Sequence, residues 1–231
     1  MSDFDYGKYY SPILPLADAL REGDERCWSD GTERNKEGHD YVLYLGCNVL
    51  RTVNLAETMV AILKAMDLDF VALAGPANCC GIIHHGNGDF TISEKLTRQT
   101  LAKFLSYEPK ALLTYCPSCH FHMDATIPEK GIEFDLPYLH ITEFIIDNLD
   151  RLKFKNSVRR KVAVHLHQEG EQQQKDARFT MEILSRIEGL EVIELPATGD
   201  WGRHCSGLQI RAVGAKRHNE LADEMFLDAK A

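Results

Sequence analysis

Residues 41–47 read YVLYLGC, a short apolar run that ends in a glycine and a cysteine. Two later segments have the same form: 70–80 reads FVALAGPANCC and 110–119 reads KALLTYCPSC. Apolar runs of this length, closed by Gly, Pro or polar residues, are typical of buried strands. Helical patterns separate them, from Val49 to Met66 and from a capping-box sequence at 91–94 onward. This alternation predicts a parallel sheet covered by helices.

Cysteines follow each of the three predicted strands. Because the carboxyl ends of parallel strands meet at one edge of a sheet, we expect these thiols to converge on one crevice. The chain has seven cysteines, an odd number, and a reducing compartment disfavours disulfides. A metal or redox site is therefore the better explanation for the five cysteines at the strand ends, which are Cys47, Cys79, Cys80, Cys116 and Cys119.

The number of thiols favours a cluster over a single ion. Five thiolates are one more than tetrahedral zinc uses, and the neighbours Cys79 and Cys80 cannot readily both bind one small ion. Iron-sulfur clusters have several metal corners and require thiolate ligands. Gly81, Gly86 and Gly88 suit a loop that wraps closely around a bulky inorganic group. The alternatives are a thioredoxin-like redox pair or a structural zinc at the CxxC of residues 116–119.

The order of strands and helices recurs after residue 150. We therefore predict an α/β fold with two pseudo-repeated lobes whose parallel sheets are flanked by helices. The predicted divisions are an acidic N-terminal arm at 1–40, a cluster-binding lobe at 41–150 and a second, degenerate lobe at 151–231. The second lobe is predicted from strands at Lys161–Leu166 and Leu190–Leu195 and helices at Asp176–Ile187 and Ala215–Phe226.

Charge and hydropathy exclude several classes of partner. The first 40 residues hold ten acidic and five basic residues, more than half of the net charge of -9. Such a charge argues against a nucleic-acid partner. No apolar run approaches the ~18 residues of a membrane span, and the N-terminus does not resemble a signal peptide. We expect a cytoplasmic protein with no membrane span. Part of the arm is apolar enough to dock on this domain or on a partner, at Tyr9, Tyr10, Ile13, Leu14 and Leu16.

The spacing of the cysteines resembles that of a known family. Cys47, 31 residues, Cys79-Cys80-Gly81, 35 residues and Cys116-x-x-Cys119 look like the cysteine-rich CCG domain of heterodisulfide reductase and its relatives. Those relatives include iron-sulfur subunits of glycolate and lactate oxidation systems. The resemblance covers roughly Tyr41 to Phe226. It implies that the five cysteines, with Gly81 in the motif, hold one non-cubane 4Fe-4S cluster.

The second copy of the motif, which family members commonly carry, is degenerate here. Gln168 stands where its first cysteine belongs, and Ser206 follows Cys205 where a second cysteine would complete the pair. Only 25 residues follow Ser206, too few for the usual spacer and CxxC. We expect no cluster in this lobe. A zinc site, a reactive thiol and relics of a filled pocket stay open for His165, His167, His204 and Cys205.

Histidines flank the cluster cysteines. His84, His85 and His120 are candidate catalytic residues that handle protons near the cluster, and His122 belongs to the same group. Cys27 has no partner in the cysteine pattern and is interpreted as incidental.

The resemblance implies an oxidoreductase subunit that acts on a sulfur group. The first hypothesis is an iron-sulfur subunit of a heterodisulfide reductase-like complex, active on a small thiol or disulfide. Its implied partners are flavin-containing and ferredoxin-like subunits, or a paired CCG subunit. The alternatives are an electron-transfer subunit of a hydroxy-acid (lactate or glycolate) oxidation system and a non-catalytic zinc-binding or scaffold module.

Overall fold

The first apolar run forms a central strand of a parallel sheet in the computed structural model, which describes residues 4–20, 38–166, 171–195 and 210–230. The strand order is β2-β1-β3-β4, and every pair is parallel. Four consecutive residues of β1, Val42 to Leu45, are fully buried, because helices cover both faces of such a sheet. The strands are β1 (Tyr41–Gly46), β2 (Phe70–Ala74), β3 (Ala111–Thr114) and β4 (Tyr138–His140).

The register brings three strand ends to one level. Tyr41 at the start of β1 pairs with both Phe70 of β2 and Ala111 of β3. The carboxyl ends of these strands therefore lie side by side at one edge. An order of 2-1-3-4 is that of doubly wound sheets, which bind ligands at this edge, where the chain switches from one side of β1 to the other.

Helices connect the strands and bury the sheet. Tyr44 of β1 packs its ring 4.8 Å from that of Phe104, on the long helix between β2 and β3. The helices of this part are α1 (Tyr6–Tyr10), α2 (Ile13–Leu20), α3 (Val53–Ala65), α4 (Ile82–Gly86), α5 (Phe90–Leu105), α6 (Pro117–Phe121), α7 (Ile127–Glu129) and α8 (Ile141–Asp147). Short 3-10 turns occupy Asn48–Arg51, Pro76–Asn78 and Leu149–Arg151, and a π-helical turn occupies His122–Thr126.

The chain divides into two compact units. Among the described residues, the first unit comprises those up to Phe144 together with Asn148–Leu152, and the second comprises the rest. The second unit has two parallel strands, paired from Arg160 with Leu190 onward. It thus repeats the strand-helix-strand order of the first unit on a smaller scale. Its elements are β5 (Arg160–Val164), α9 (Glu171–Ser185), β6 (Leu190–Glu194) and α10 (Ile210–Lys230).

The α/β class and the parallel sheet are confirmed, with local corrections. The capping-box prediction at 91–94 is wrong, because α5 begins one residue earlier at Phe90, with Asp89 as its N-cap residue. Strand β4 was not predicted from the sequence, since three residues are too few for a pattern. Residues 82–86 form a helix rather than a loop. In the parts of the chain described here, we find no helix both long and apolar enough to span a membrane.

Gly81 is the glycine whose conformation the fold demands most strictly. Its φ is +95°, and a Cβ there would lie 2.5 Å from the carbonyl oxygen of Ser93 on α5. Gly88 has a similar φ of +81° with open space around it. The two glycines therefore separate backbone strain from steric overlap.

We expect Gly81→Ala to lower the free energy of unfolding by about 2–4 kcal/mol, because left-handed strain adds to overlap with a fixed backbone. Gly88→Ala, the matched control, should cost only about 1–2 kcal/mol, from strain alone. Denaturant titration of both variants measures the difference. Equal losses would contradict the tight contact between Gly81 and α5.

Candidate metal centre

Five thiols meet at the carboxyl edge of the four-stranded sheet. Cys47 directly follows β1, Cys79 and Cys80 follow the 3-10 turn after β2, and Cys116 and Cys119 lie at the start of α6 after β3. All five are free thiols. Cys80 Sγ lies 3.5 Å from Cys119 Sγ, and the Cys47 thiol is hydrogen-bonded to that of Cys79. The convergence that the sequence predicted is present.

Gly46 makes room for this convergence. Its φ is +81°, and a Cβ there would lie 3.1 Å from Cys119 Sγ and 3.2 Å from Cys116 Cβ. Any side chain at this position would push against the CxxC thiols. The strand thus approaches the site with bare backbone, as close packing around a ligand requires. Sequence reasoning did not single out Gly46, although a glycine directly before a cysteine at a strand end was a usable signal.

One face of α5 holds the backbone of the adjacent cysteines. The Thr100 hydroxyl donates to the Cys79 carbonyl oxygen at 2.8 Å, and the Thr97 hydroxyl donates to that of Cys80 at 2.7 Å. One turn further, Lys103 Nζ donates to Asn78 Oδ1 at 2.6 Å. Residues three apart share a helix face, so these polar side chains point together at the loop. They fix where Cys79 and Cys80 stand relative to the sheet.

Tyr44 links the central strand to the same loop. Its hydroxyl donates to the carbonyl oxygen of Asn78 at 2.7 Å, and the Cys119 thiol lies 3.8 Å from the Tyr44 hydroxyl oxygen. The residue is fully buried, and burial raises the pKa of Tyr44 well above its ordinary value. Tyr44 therefore remains a neutral hydrogen-bonding group in contact with the thiols.

The thiols differ in how readily they ionise. Hydrogen bonds from Cys47, Cys80, Tyr10 and the Gly81 amide lower the pKa of Cys79 far below its ordinary value. The hydrogen bond from Cys119 lowers the pKa of Cys116 to about 6. As donors in those bonds, Cys47 and Cys119 have raised pKa values. The metal-free group is thus a mixture of thiolates and thiols, and metal binding releases the remaining protons.

Residues 41–124 match the family described as a cysteine-rich domain, CCG. This segment is a CCG domain. The match includes all five converging cysteines and confirms that part of the resemblance. CCG domains occur in iron-sulfur redox proteins and typically work in multi-subunit redox complexes. No curated protein and no solved structure matches the chain.

The donor set of the CCG domain fits an iron-sulfur cluster. Four of its five thiols are buried and Cys116 is partly exposed, so the sulfur atoms face one another in a largely dry pocket. Thiolate sulfur is the ligand that iron-sulfur clusters use. Within the described ranges, no group of three or more His, Cys, Asp or Glu side chains is arranged to hold a single metal ion. The five thiols are the side chains that could hold a cluster.

The histidines of the CCG domain lie around the thiols in different environments. His84 stacks on Tyr6 at 4.0 Å, and its buried Nδ1 has no hydrogen-bond partner. His85 lies 5.1 Å from the Phe90 ring, and partial burial lowers the pKa of His85. His120 is buried, with Nδ1 2.6 Å from the Thr114 hydroxyl and Nε2 3.3 Å from Asp124. A proton-handling role for His84, His85 and His120 stays a prediction.

His122 is the most completely enclosed of the four. The whole residue is buried, and its Nε2 lies 3.0 Å from the Thr97 hydroxyl that also bonds Cys80. Its Nδ1 is buried without a partner. Burial lowers the pKa of His122 to about 4, so this ring is neutral at pH 7. It reaches the cysteine loop through Thr97.

The candidate residues of the second lobe cannot be brought together. His165 follows β5 and is half-buried. The remaining ones, His167, His204 and Cys205, lie outside the described residues, as do Gln168, Ser206 and Cys27. Whether they form a site stays open.

Cys116 is the thiol that a reagent should reach first. It is the one partly exposed member of the five, and its thiolate form persists down to about pH 6. In the metal-free protein at pH 7, we expect iodoacetamide to alkylate Cys116 at least about tenfold faster than Cys80 or Cys119. Below pH 6 the rate should fall as the thiolate gains a proton. Peptide mass spectrometry over time measures this order, and earlier labelling of Cys119 would contradict the described burial.

Proposed function

We propose that this chain is the iron-sulfur subunit of a heterodisulfide reductase-like complex, carrying one 4Fe-4S cluster of the non-cubane type. The observation that carries the proposal is the meeting of five thiols inside the CCG domain, at three neighbouring strand ends. Its proposed ligands are Cys47, Cys79, Cys80, Cys116 and Cys119, with Gly81 shaping the loop between them. The proposed reaction is redox chemistry on a small thiol, disulfide or related sulfur compound.

The bound cluster would supply one-electron storage and an iron site for a substrate sulfur. The chain supplies the enclosure. Burial of four thiols excludes water on their side of the pocket, whereas the partial exposure of Cys116 leaves a side from which a small molecule can approach. The bonds from Thr97 and Thr100 hold the adjacent cysteines in place, so that the ligand sulfurs need little reorganisation.

Reduction of a disulfide to thiols requires protons, and the flanking histidines are proposed to hold them. His120 is paired with Asp124, which favours its protonated form, and Thr114 contacts its other nitrogen. His84 has a buried Nδ1 without a partner, suited to accepting a proton. His85, with its lowered pKa, is suited to releasing one.

The second lobe is proposed to have another role. Gln168 and Ser206 stand where a complete second motif needs cysteines, so we assign the cluster to the lobe at 41–150 and none to 151–231. A paired CCG subunit would supply any second cluster, with flavin-containing and ferredoxin-like subunits as electron partners. We propose the cytoplasm as the site of this complex.

A ligand test separates the two lobes. Cys79→Ser and Cys80→Ser should each weaken iron binding by more than about tenfold, because each removes a ligand. Cys205→Ser, the matched control in the degenerate lobe, should leave bound iron unchanged. Iron and acid-labile sulfide are measured on anaerobically purified protein. Equal losses from Cys205→Ser would reassign the second lobe, and a colourless zinc-containing wild type would favour the zinc or scaffold alternative.

A substrate test separates catalysis from electron transfer. We expect disulfides or persulfides added to the reduced holoprotein to change the electron paramagnetic resonance spectrum, because their sulfur binds at the cluster. A simple thioether of the same size is the control and should leave the spectrum unchanged. If no sulfur substrate alters the signal, the electron-transfer subunit of a hydroxy-acid oxidation system becomes the better assignment.

A further inference from the structure

The N-terminal helix α1 lies against the metal centre, although 69 residues separate Tyr10 from Cys79. The Tyr10 hydroxyl is 3.5 Å from Cys79 Sγ, and its side chain is half-buried. Asp5 starts the helix by accepting a hydrogen bond from the Lys8 amide at 2.8 Å. The next helix, α2, anchors the segment with Ile13 and Ala17, both fully buried. The apolar stretch of the predicted arm therefore packs on the first unit.

A first set of contacts fixes α1 beside Cys47. Asn48 Nδ2 donates to the Tyr9 hydroxyl at 2.6 Å, and Arg51 donates to the Tyr9 carbonyl oxygen at 2.6 Å. The Arg51 guanidinium also lies 5.2 Å from the centre of the Tyr9 ring, in cation-π geometry. Both partners belong to the 3-10 turn that directly follows Cys47.

A second set fixes α1 beside the adjacent cysteines. The Tyr6 ring stacks on His84 with centroids 4.0 Å apart and an interplanar angle of 13°. The Tyr6 hydroxyl donates to the Asp89 carboxylate. His84 lies on α4, which starts two residues after Cys80, and Asp89 immediately precedes α5. The helix thus bridges the segments that follow Cys47 and Cys80, with Tyr10 over Cys79 between them.

The chemistry of Tyr10 determines the direction of its bond to sulfur. Burial and the charge of Cys79 raise the pKa of Tyr10 well above its ordinary value, so the phenol keeps its proton. A thiolate sulfur, whether free or bound to a metal, is an acceptor. The hydroxyl therefore donates, and a hydrogen bond to a ligand sulfur withdraws negative charge from it and stabilises the reduced state of an iron-sulfur site.

We propose that Tyr10 is a positioning residue of the metal centre, donating a hydrogen bond to the Cys79 sulfur, and that α1 is a lid that closes the Cys47–Cys79 side. Access for small molecules is then restricted to the side of Cys116, the one partly exposed thiol of the five. The first part rests on the proposed iron-sulfur function. The lid itself concerns the chain alone and can be tested without metal.

Tyr10→Phe tests the hydrogen bond in the holoprotein, because it removes the hydroxyl and keeps the ring. We expect the midpoint potential of the cluster to fall, with the ratio of reduced to oxidised protein at a fixed potential decreasing about twofold to tenfold. Tyr9→Phe is the matched control on the same helix, since the Tyr9 hydroxyl bonds Asn48 rather than a thiol. An unchanged potential in Tyr10→Phe, or an equal shift in Tyr9→Phe, would overturn the positioning role.

Tyr6→Ala tests the lid in the metal-free protein, because it removes the stack on His84 and the bond to Asp89. We expect iodoacetamide to label Cys79 several-fold faster than in the wild type, while the labelling rate of Cys116 stays the same. Arg51→Gln, which weakens the other anchor, should act in the same direction. Unchanged labelling of Cys79 in both variants would show that α1 does not cover it.

These outcomes are distinguishable from failure of the proposed function. If the protein binds no iron and Cys79 labelling still responds to Tyr6→Ala, the lid stands and the cluster assignment fails. If iron binds but neither variant alters Cys79 labelling, the cluster assignment stands and the lid fails.

Discussion

The level alignment of β1 with β2 and β3 is the constraint on which the site depends. Because Tyr41 pairs with both Phe70 and Ala111, the three strands end at the same edge of the sheet. Cysteines more than 30 residues apart in sequence then come within contact distance. A shift of one register position would move a strand end by about 3.3 Å and turn its side chains to the other face. The buried apolar core of β1 opposes such a shift.

Bringing five thiols together has a cost that the surrounding residues offset. Two sulfur atoms of the group have lowered pKa values and the others hold their protons, so the metal-free site distributes charge instead of burying five anions. The backbone carbonyls beside Cys79 and Cys80 are satisfied by threonine hydroxyls rather than by water. The pocket can therefore be dry and still have its polar groups paired.

The two sides of the site differ in a way that bears on function. Tyr10 and the helix that carries it cover Cys79, whereas Cys116 lies at the start of α6 with part of its surface open. A pocket closed on one side and open on the other suits chemistry on a small molecule better than a fully enclosed electron carrier. This asymmetry supports the sulfur-chemistry proposal over simple electron transfer.

The sequence by itself determined the α/β class, the three cysteine-bearing strands and the CCG pattern, because hydrophobic periodicity and residue spacing are local properties of the chain. It did not reveal β4, whose three residues carry no pattern, or the start of α5 at Phe90. Thr97 and Thr100 look like ordinary helix residues until the cysteine loop lies against them. Only the tertiary structure decided that Gly46 must lack a side chain and that Tyr10 reaches Cys79. Those facts depend on contacts between distant segments, which exist only once the sheet has brought its strand ends together.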